Sequence, residues 1–513
     1  MNARVQSLLS ARGFHISLGV YLLALYVLRI TLFPGASEDD AEQLFYSQSL
    51  TGGYKPGQPP LYTWIVYLIL QITGVALPVV VAIKFAAIAA IYGLSFQIAR
   101  LMHLAEGWVA FAGISVLGLY YIGWDSVLNY SQTVLMAAFC LATIHALARI
   151  MNGRVSWGSF LYLGVVAGCG VMTKYNFAIF LAALIGAALM DMDLRRKLIS
   201  AKGLLVLAVI GLIALPHAVW LLGGAVDQAA LSKAVSKTSD PGLDASLSGL
   251  EEMIRAAISM LSPLLILFVL FFPKAFFPIQ NPNEDRQRAR KLLERGAILV
   301  FVLMGLMIVV SGMTSVRNHW MIVLIAFPVY GTLRISEVYS DIEAKRVRWF
   351  VSLLVVLAGI VMSVLIIKAM QGAHGCRKCR LLVPISQLAD QIRDTGFQVG
   401  TVLSFDYPTQ LGGNLRRYFP DSRFVSTRFN HYNAPEHVSE AAAGQCLAIW
   451  LLDSRKEVLF TKRARALKNR LNVEIDIQDM DQMQITEVHL DEGNTMQFGY
   501  ILIDDPARQG NCR

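Results

Sequence analysis

Long apolar runs broken by short polar stretches dominate the first 370 residues of the chain. A helix that is apolar on every side has no face to give to water, and about 20 such residues cross a bilayer core. The first run, residues 16–33, holds one charge, Arg29, and no small-residue cleavage site precedes the acidic loop that follows. That combination predicts an uncleaved span rather than a signal peptide. Further runs at 77–99, 108–122, 133–150, 158–172, 177–190, 204–222, 253–272, 297–311, 320–333 and 350–367 predict more spans. Several fall short of the usual length, so tilt or extended ends are expected. Beyond Gln371 the pattern changes to short apolar runs, "VGTVLSF", "CLAIWLLD" and "FGYILID", separated by Gly, Pro, Asn and Asp. These predict strands, with one amphipathic helix around 461–470. The expected architecture is mainly α: a polytopic helical membrane domain over 1–370, with about 11 or more spans, and a small α/β or α+β domain over 371–513 outside the membrane.

The loop after the first span, "SEDDAEQLFYSQSLTGGYKPGQPPLYTW" from Ser37 to Trp64, mixes polar and apolar residues at helical spacing and leads into "LYTWIVYLILQITG", which is too short to cross. Both stretches suit helices lying in the interface. Composition agrees with a membrane chain: 513 residues, 55% hydrophobic, mean hydropathy +0.52. The net charge of +9 is a topology signal. If all spans cross, the N-terminus and the loops near 100, 152, 196, 285 and 341 hold about 19 Lys and Arg against about 5 in the intervening loops, so the first set is expected in the cytoplasm. That parity makes nucleic acid an unnecessary explanation of the basic balance, and no basic stripe with stacking aromatics is present. It also puts the acidic loop, Asp125, Lys174, the 223–252 loop, Arg317-Asn318-His319 and the tail together on the outer side.

Acidic residues contribute little to orientation, so Glu38, Asp39, Asp40 and Glu42 need another role than topology. The plain alternative is a solvated loop. On a helix Asp39 and Glu42 share a face and Asp40 points elsewhere. Paired carboxylates can divide the work of base and hydroxyl binder, or hold a divalent cation. Lys55, Lys174, Lys233, Lys237, Arg317 and His319 are cations suited to a departing phosphate. Lys174 stands out, because "GVMTKYNF" sets it between two helices that otherwise avoid charge. There is no GxxxxGK[ST], no strand-linked GxGxxG and no HExxH, so nucleotide-driven transport, dinucleotide chemistry and zincin hydrolysis lack their marks. Four of the six cysteines, Cys376, Cys379, Cys446 and Cys512, lie in the tail and are expected to be structural disulfides, although "HGCRKCR" also invites a redox or zinc reading.

The acidic loop, with Asp39-Asp40 followed by a helix and Pro59-Pro60, resembles the first outer loop of polyprenyl-phosphate-sugar glycosyltransferases of the GT-C class. That class includes protein O-mannosyltransferases, lipid A aminoarabinose transferases and lipopolysaccharide galacturonosyltransferases. The likeness continues in "GVVAGCGVMTKYNF", "ALPHAVWL" and "NHWMIVLIAFPVYG" and covers roughly the first 335 residues. It implies a GT-C fold of membrane helices with interfacial helices in the first outer loop, and an α/β tail in the periplasm of a bacterium with the active site on the same side of the inner membrane. It further implies an inverting transfer from a polyprenyl-phosphate-linked sugar, a galacturonic acid or amino sugar among the choices, to a lipopolysaccharide core, lipid A or protein acceptor. Asp39 then matches the catalytic acid and Asp40 its neighbour, while Glu42, Lys55, Lys174, Tyr175, Arg317 and His319 are expected to bind substrate. Two departures from the pattern are Gln58, where a Lys often precedes Pro-Pro, and Gln132, where an acid is common. The second weakens a two-acid metal site, unless Asp125 joins Asp39 to hold a divalent cation. Rival readings are protein O-mannosylation, arabinosyl or mannosyl transfer to a glycan polymer and, from another class, a lipid or sugar transporter or flippase. Transporters usually show paired halves, and no such repeat is present.

Overall fold

The computed structural model describes residues 7–223, 242–279, 284–342, 344–371, 381–405, 410–429, 432, 434–435, 445–452, 483–491 and 494–504. Lys233, Lys237, Cys376, Cys379, Cys512 and the helix expected at 461–470 lie outside these residues. In chain order the first helices are α1 (Ala11–Leu32), α2 (Glu38–Tyr46), α3 (Leu61–Thr73), α4 (Leu77–Leu101), α5 (Glu106–Ser115) and α6 (Tyr120–Gly123). Then come α7 (Ser131–Met151), α8 (Trp157–Val171), α9 (Phe177–Leu189), α10 (Met192–Leu198) and α11 (Ala201–Leu222). The membrane part ends with α12 (Leu243–Leu261), α13 (Leu264–Phe271), α14 (Glu284–Ser311), α15 (Phe327–Val338) and α16 (Lys345–Met370). The tail holds α17 (Ile385–Asp394), β1 (Thr401–Phe405), α18 (Leu411–Leu415), β2 (Arg423–Ser426), β3 (Gln445–Leu451), β4 (Gln484–Asp491) and β5 (Asn494–Asp504).

Among the described residues six helices are long and apolar enough to cross a membrane, or up to eight if each of two bent pairs counts as one span. Their outer faces keep large apolar side chains exposed, for example Leu204, Leu207, Leu212, Leu215 and Val219 along α11, which suits contact with lipid. The apolar runs at 108–122 and 253–272 are not continuous helices. The first breaks between α5 and α6, and the second breaks at Ser262-Pro263, where Pro removes a backbone donor. The runs at 177–190 and 320–333 belong to the bent pairs, α9 with α10 at 117° and the 3-10 turn Asn318–Leu324 with α15 at 48°.

Packing divides the chain into two compact units. The first is Met1–Leu25, Pro56–Leu61 and Lys84–Met362. Its core includes a ring cluster in which Phe350 of α16 lies 4.9 Å from Phe111, 5.5 Å from Phe268 and 5.6 Å from Phe272. At one end of its bundle, the six basic segments assigned to a single side by parity are tied together. Ala11 N donates to Glu106 at 3.1 Å, Asn152 to Leu101 O at 2.6 Å, Lys197 to Ile150 O at 3.3 Å and Arg286 to His103 O at 3.1 Å. Arg288 takes Asp191 with two bonds of 2.6 Å, and Ile342 packs on Gly107.

The second unit is Tyr26–Lys55, Tyr62–Ile83 and Ser363–Arg513. Its tail is a five-stranded mixed sheet of order β2-β1-β3-β5-β4, parallel across β2, β1 and β3 and antiparallel beyond. The central strands β1 and β3 are buried along most of their length, which is why they read as continuous apolar runs rather than alternating ones. One hydrophobic core joins this sheet and α17 to Phe45, Tyr46 and Tyr54 from the acidic loop. Cys446 on β3 is disulfide-bonded.

Candidate active site

In the second unit α2 carries the acids. Ser37 starts the helix by accepting the Asp40 amide, and Glu38, Asp39 and Asp40 fill its first turn, where carboxylates meet the positive end of the helix dipole. The four acids then diverge. Asp40 is fully buried and pairs with the fully buried Arg29 at 3.3 Å. Arg29 also donates to Phe33 O at 2.9 Å and Gly35 O at 3.1 Å, closing the end of α1. Glu42 is held by Lys55 at 2.5 Å, so these two expected substrate ligands occupy each other. Glu38 is paired with Arg428 from the tail. Asp39, in the same first turn, is partly exposed.

In the first unit, the end of the bundle away from the basic loops gathers a different set. The turn between α8 and α9 carries Lys174, whose Nζ donates to Thr133 Oγ1 at 2.7 Å on α7. Beside it Tyr175 donates to Pro56 O at 3.1 Å and meets His217 Nε2 at 3.0 Å. Leu61 N donates to Met172 O at 3.0 Å, so the Pro-Pro segment is pinned to this turn. Asn176 reaches Trp320 O at 3.1 Å, which brings in the 3-10 turn holding His319. His319 lies 5.2 Å from the Tyr130 ring and within electrostatic reach of Lys174 and Arg317. Arg317 is exposed. The Pro-Pro segment, the Lys174 turn, His217 of "ALPHAVWL" and the turn holding His319 therefore meet at one end of this unit as a cluster of cations and rings suited to an anion.

Asp125 accepts from Asn129 at 2.8 Å, a local contact four residues along the chain. Among the described residues no three His, Cys, Asp or Glu side chains gather as a metal site would require. Gln132 is buried, and its Oε1 has no hydrogen-bond partner among the described residues.

Four cations escaped the sequence reading as site residues. Arg29 and Lys84 are fully buried within apolar helices, and an ionisable group at such a depth is itself the signal. Arg416 and Arg428 grip α2 from a stretch more than 360 residues away in sequence, where no local pattern points to them. Burial lowers the Arg416 guanidinium to about 10, leaving it protonated near neutral pH.

A polytopic helical bundle, an acid-bearing helix after the first span and a mixed-sheet tail together make the GT-C architecture. The fold matches that of ArnT from Cupriavidus metallidurans, with TM-score 0.58 to the form bound to undecaprenyl phosphate, at 13% identity over 96% of this chain and 98% of that one. The apo form gives 0.59 at 12% identity over the same shares. A family profile described as dolichyl-phosphate-mannose-protein mannosyltransferase matches residues 57–220. Two Rhizobium johnstonii proteins, the lipopolysaccharide core galacturonosyltransferases RgtA and RgtB, are 26% and 29% identical over 84% of this chain and 85% and 86% of their own lengths. The chain has the GT-C fold of membrane transferases, and these similarities support glycosyltransferase activity.

Proposed function

We propose that the protein transfers galacturonic acid from a polyprenyl phosphate to the lipopolysaccharide core, at the periplasmic face of a bacterial inner membrane. The observation that carries this reading is the similarity along 84% of the chain to two proteins that are both lipopolysaccharide core galacturonosyltransferases. The lipid donor is supported by the undecaprenyl phosphate bound to a protein of the same fold.

In the proposed reaction the acceptor oxygen attacks the anomeric carbon from the face opposite the lipid phosphate, and the bond from that carbon to the phosphate oxygen breaks with inversion. Asp39, partly exposed in the first turn of α2, takes or orients the acceptor proton. Lys174 and Arg317 oppose the developing charge of the phosphate that leaves as fixed cations, and His319, kept neutral by burial and by the nearby Lys174 and Arg317, is a hydrogen-bonding partner for it. Asp40, buried against Arg29, supports α2 and does not handle the proton.

Deleting the gene in its host and weighing the lipopolysaccharide core tests the reading. Loss of a hexuronic acid, restored by the parent gene and not by an Asp39→Asn copy, is the expected result. The family profile favours a second reading, mannosyl transfer to protein. An unchanged core together with mannose lost from glycoproteins would select it and overturn the first.

A further inference from the structure

The helix that carries Asp39 is poorly equipped to stand alone. It has nine residues and a polar composition, whereas isolated helices shorter than about 12 residues are marginal in water. Its last-turn carbonyls also need partners. The loop supplies some, with Ser47 N donating to Gln43 O and Gln48 Nε2 to Phe45 O at 2.8 Å, and the tail adds the rest. Arg416 donates through Nη1 to Leu44 O and to Ser47 Oγ at 2.7 Å, and through Nη2 to Ser47 O at 2.9 Å. One planar guanidinium thus closes the C-terminal end of α2, with a donor geometry that a lysine ammonium does not reproduce.

The other end is held as well. Arg428 pairs with Glu38 in the first turn. Asn414 Oδ1 accepts from Ala36 N at 2.9 Å, and Arg417 donates to Pro34 O at 3.0 Å. Between the ends, α18 and α2 touch backbone to backbone. A Cβ added to Gly413 would sit 2.0 Å from Ala41 O. On the remaining side Phe45 and Tyr46 pack tilted or edge-on against Phe429 and Tyr432, with centroids 4.6 to 5.8 Å apart.

We infer that the tail is a positioning device for the reaction: Arg416, helped by Gly413, Asn414 and Arg428, holds α2 at both ends and so fixes where Asp39 stands. This rests on the reading of Asp39 as the base, and it gives the tail a part in catalysis beyond any contact with the acceptor. A displacement of about 1 Å in a reacting group can cost about 100-fold in rate while leaving substrate affinity nearly intact.

The test uses the full-length protein in detergent with undecaprenyl-phosphate-linked galacturonic acid as donor and lipopolysaccharide core as acceptor. Hydrogen exchange is followed over residues 34–48. In Arg416→Met, exchange across α2 should quicken by about tenfold or more, since local opening is governed by local contacts. The kcat should fall by about 10- to 100-fold with the donor KM within about threefold, and Arg416→Lys should lie between. If Arg416→Met does not fold, Arg428→Gln, at the more exposed end of the clamp, is read in the same two ways with smaller expected effects. Unchanged exchange in the folded variant overturns the inference, as does faster exchange with parental kcat. Loss confined to KM does so too, because it would make the tail a binding surface only. Asp39→Asn is run beside them: its full activity would remove the base reading alone, and the exchange data would still decide whether the clamp exists.

Discussion

Asp39 stands among three acids that ion pairs hold in place. Asp40, Glu42 and Glu38 each meet a cation, Arg29, Lys55 and Arg428 respectively. Replacing Asp39 by Asn keeps shape and removes charge, so transfer should drop by about 100-fold or more, the usual worth of a general base. Purified variant and parent must first match in yield and elution, and a well-folded Asp39→Asn enzyme with full activity would end the base assignment. Lys174→Ala should also slow transfer, through weaker stabilisation of the phosphate. Asp40→Asn should do less to kcat than Asp39→Asn. The Arg29–Asp40 pair is expected to show itself in stability. Taking one member from a buried pair strands the other and typically costs about 3–5 kcal/mol, so Arg29→Leu should lower the melting temperature in detergent well below that of the parent. A variant that melts with the parent would show that the pair contributes little. Because Arg416 titrates near about 10, far above neutral, its charge is constant through the working range. The rate-against-pH curve of Arg416→Met should keep the parent's inflexions at a lower plateau, and a shifted inflexion would mean that Arg416 acts on a titrating group directly.

At the scale of elements, the turn bearing Lys174 depends on how closely α8 lies against α11. Gly164 and Gly168, one helical turn apart on α8, face that contact. A Cβ on Gly164 would come within 2.9 Å of Val209 and 3.3 Å of the Val206 backbone; on Gly168 it would come within 2.9 Å of Ile213 and 3.2 Å of the Ile210 backbone. Small residues at this spacing let helices approach in a membrane, where apolar burial against lipid gives little drive of its own. Gly168→Leu should therefore force the helices apart and reduce both folded yield and transfer. Gly211→Leu on α11, where nothing lies within 4 Å, should leave both near parental levels. Equal behaviour of the two substitutions, measured by size exclusion and by activity, would show that this contact does not set the turn.

For the whole molecule the sharpest expectation is topological. The six basic segments meet at one end of the first unit, in agreement with their assignment to a single side. From the positive-inside bias we propose that this end faces the cytoplasm. A reporter fused after Arg513 should behave as exported, and Cys446 should resist alkylation until reductant is added. Cytoplasmic reporter activity at that fusion would reverse the orientation and remove the periplasmic reaction from the proposal.

Much of this protein was decided by local pattern. The membrane class follows from apolar runs, because no soluble fold could bury them. The one-sided gathering of basic loops follows from their parity, and the strands β1, β3 and β5 from short apolar runs between turn residues. Lys174 was legible because an ionisable group between apolar helices stands out, and the motifs around Asp39, His217 and His319 were legible through their likeness to a known family. Other features are consequences of packing alone. Breaks within α5–α6 and α12–α13 leave the apolar composition unchanged, so composition cannot reveal them. Whether Asp40 or Asp39 faces inward, and whether Glu42 is spent on Lys55, depends on which cation the fold delivers. The clamp on α2 is formed by Arg416 and Arg428 from a tail hundreds of residues away. Linear spacing holds no trace of such a contact, since only the folded chain brings those guanidinium groups to the end of a nine-residue helix.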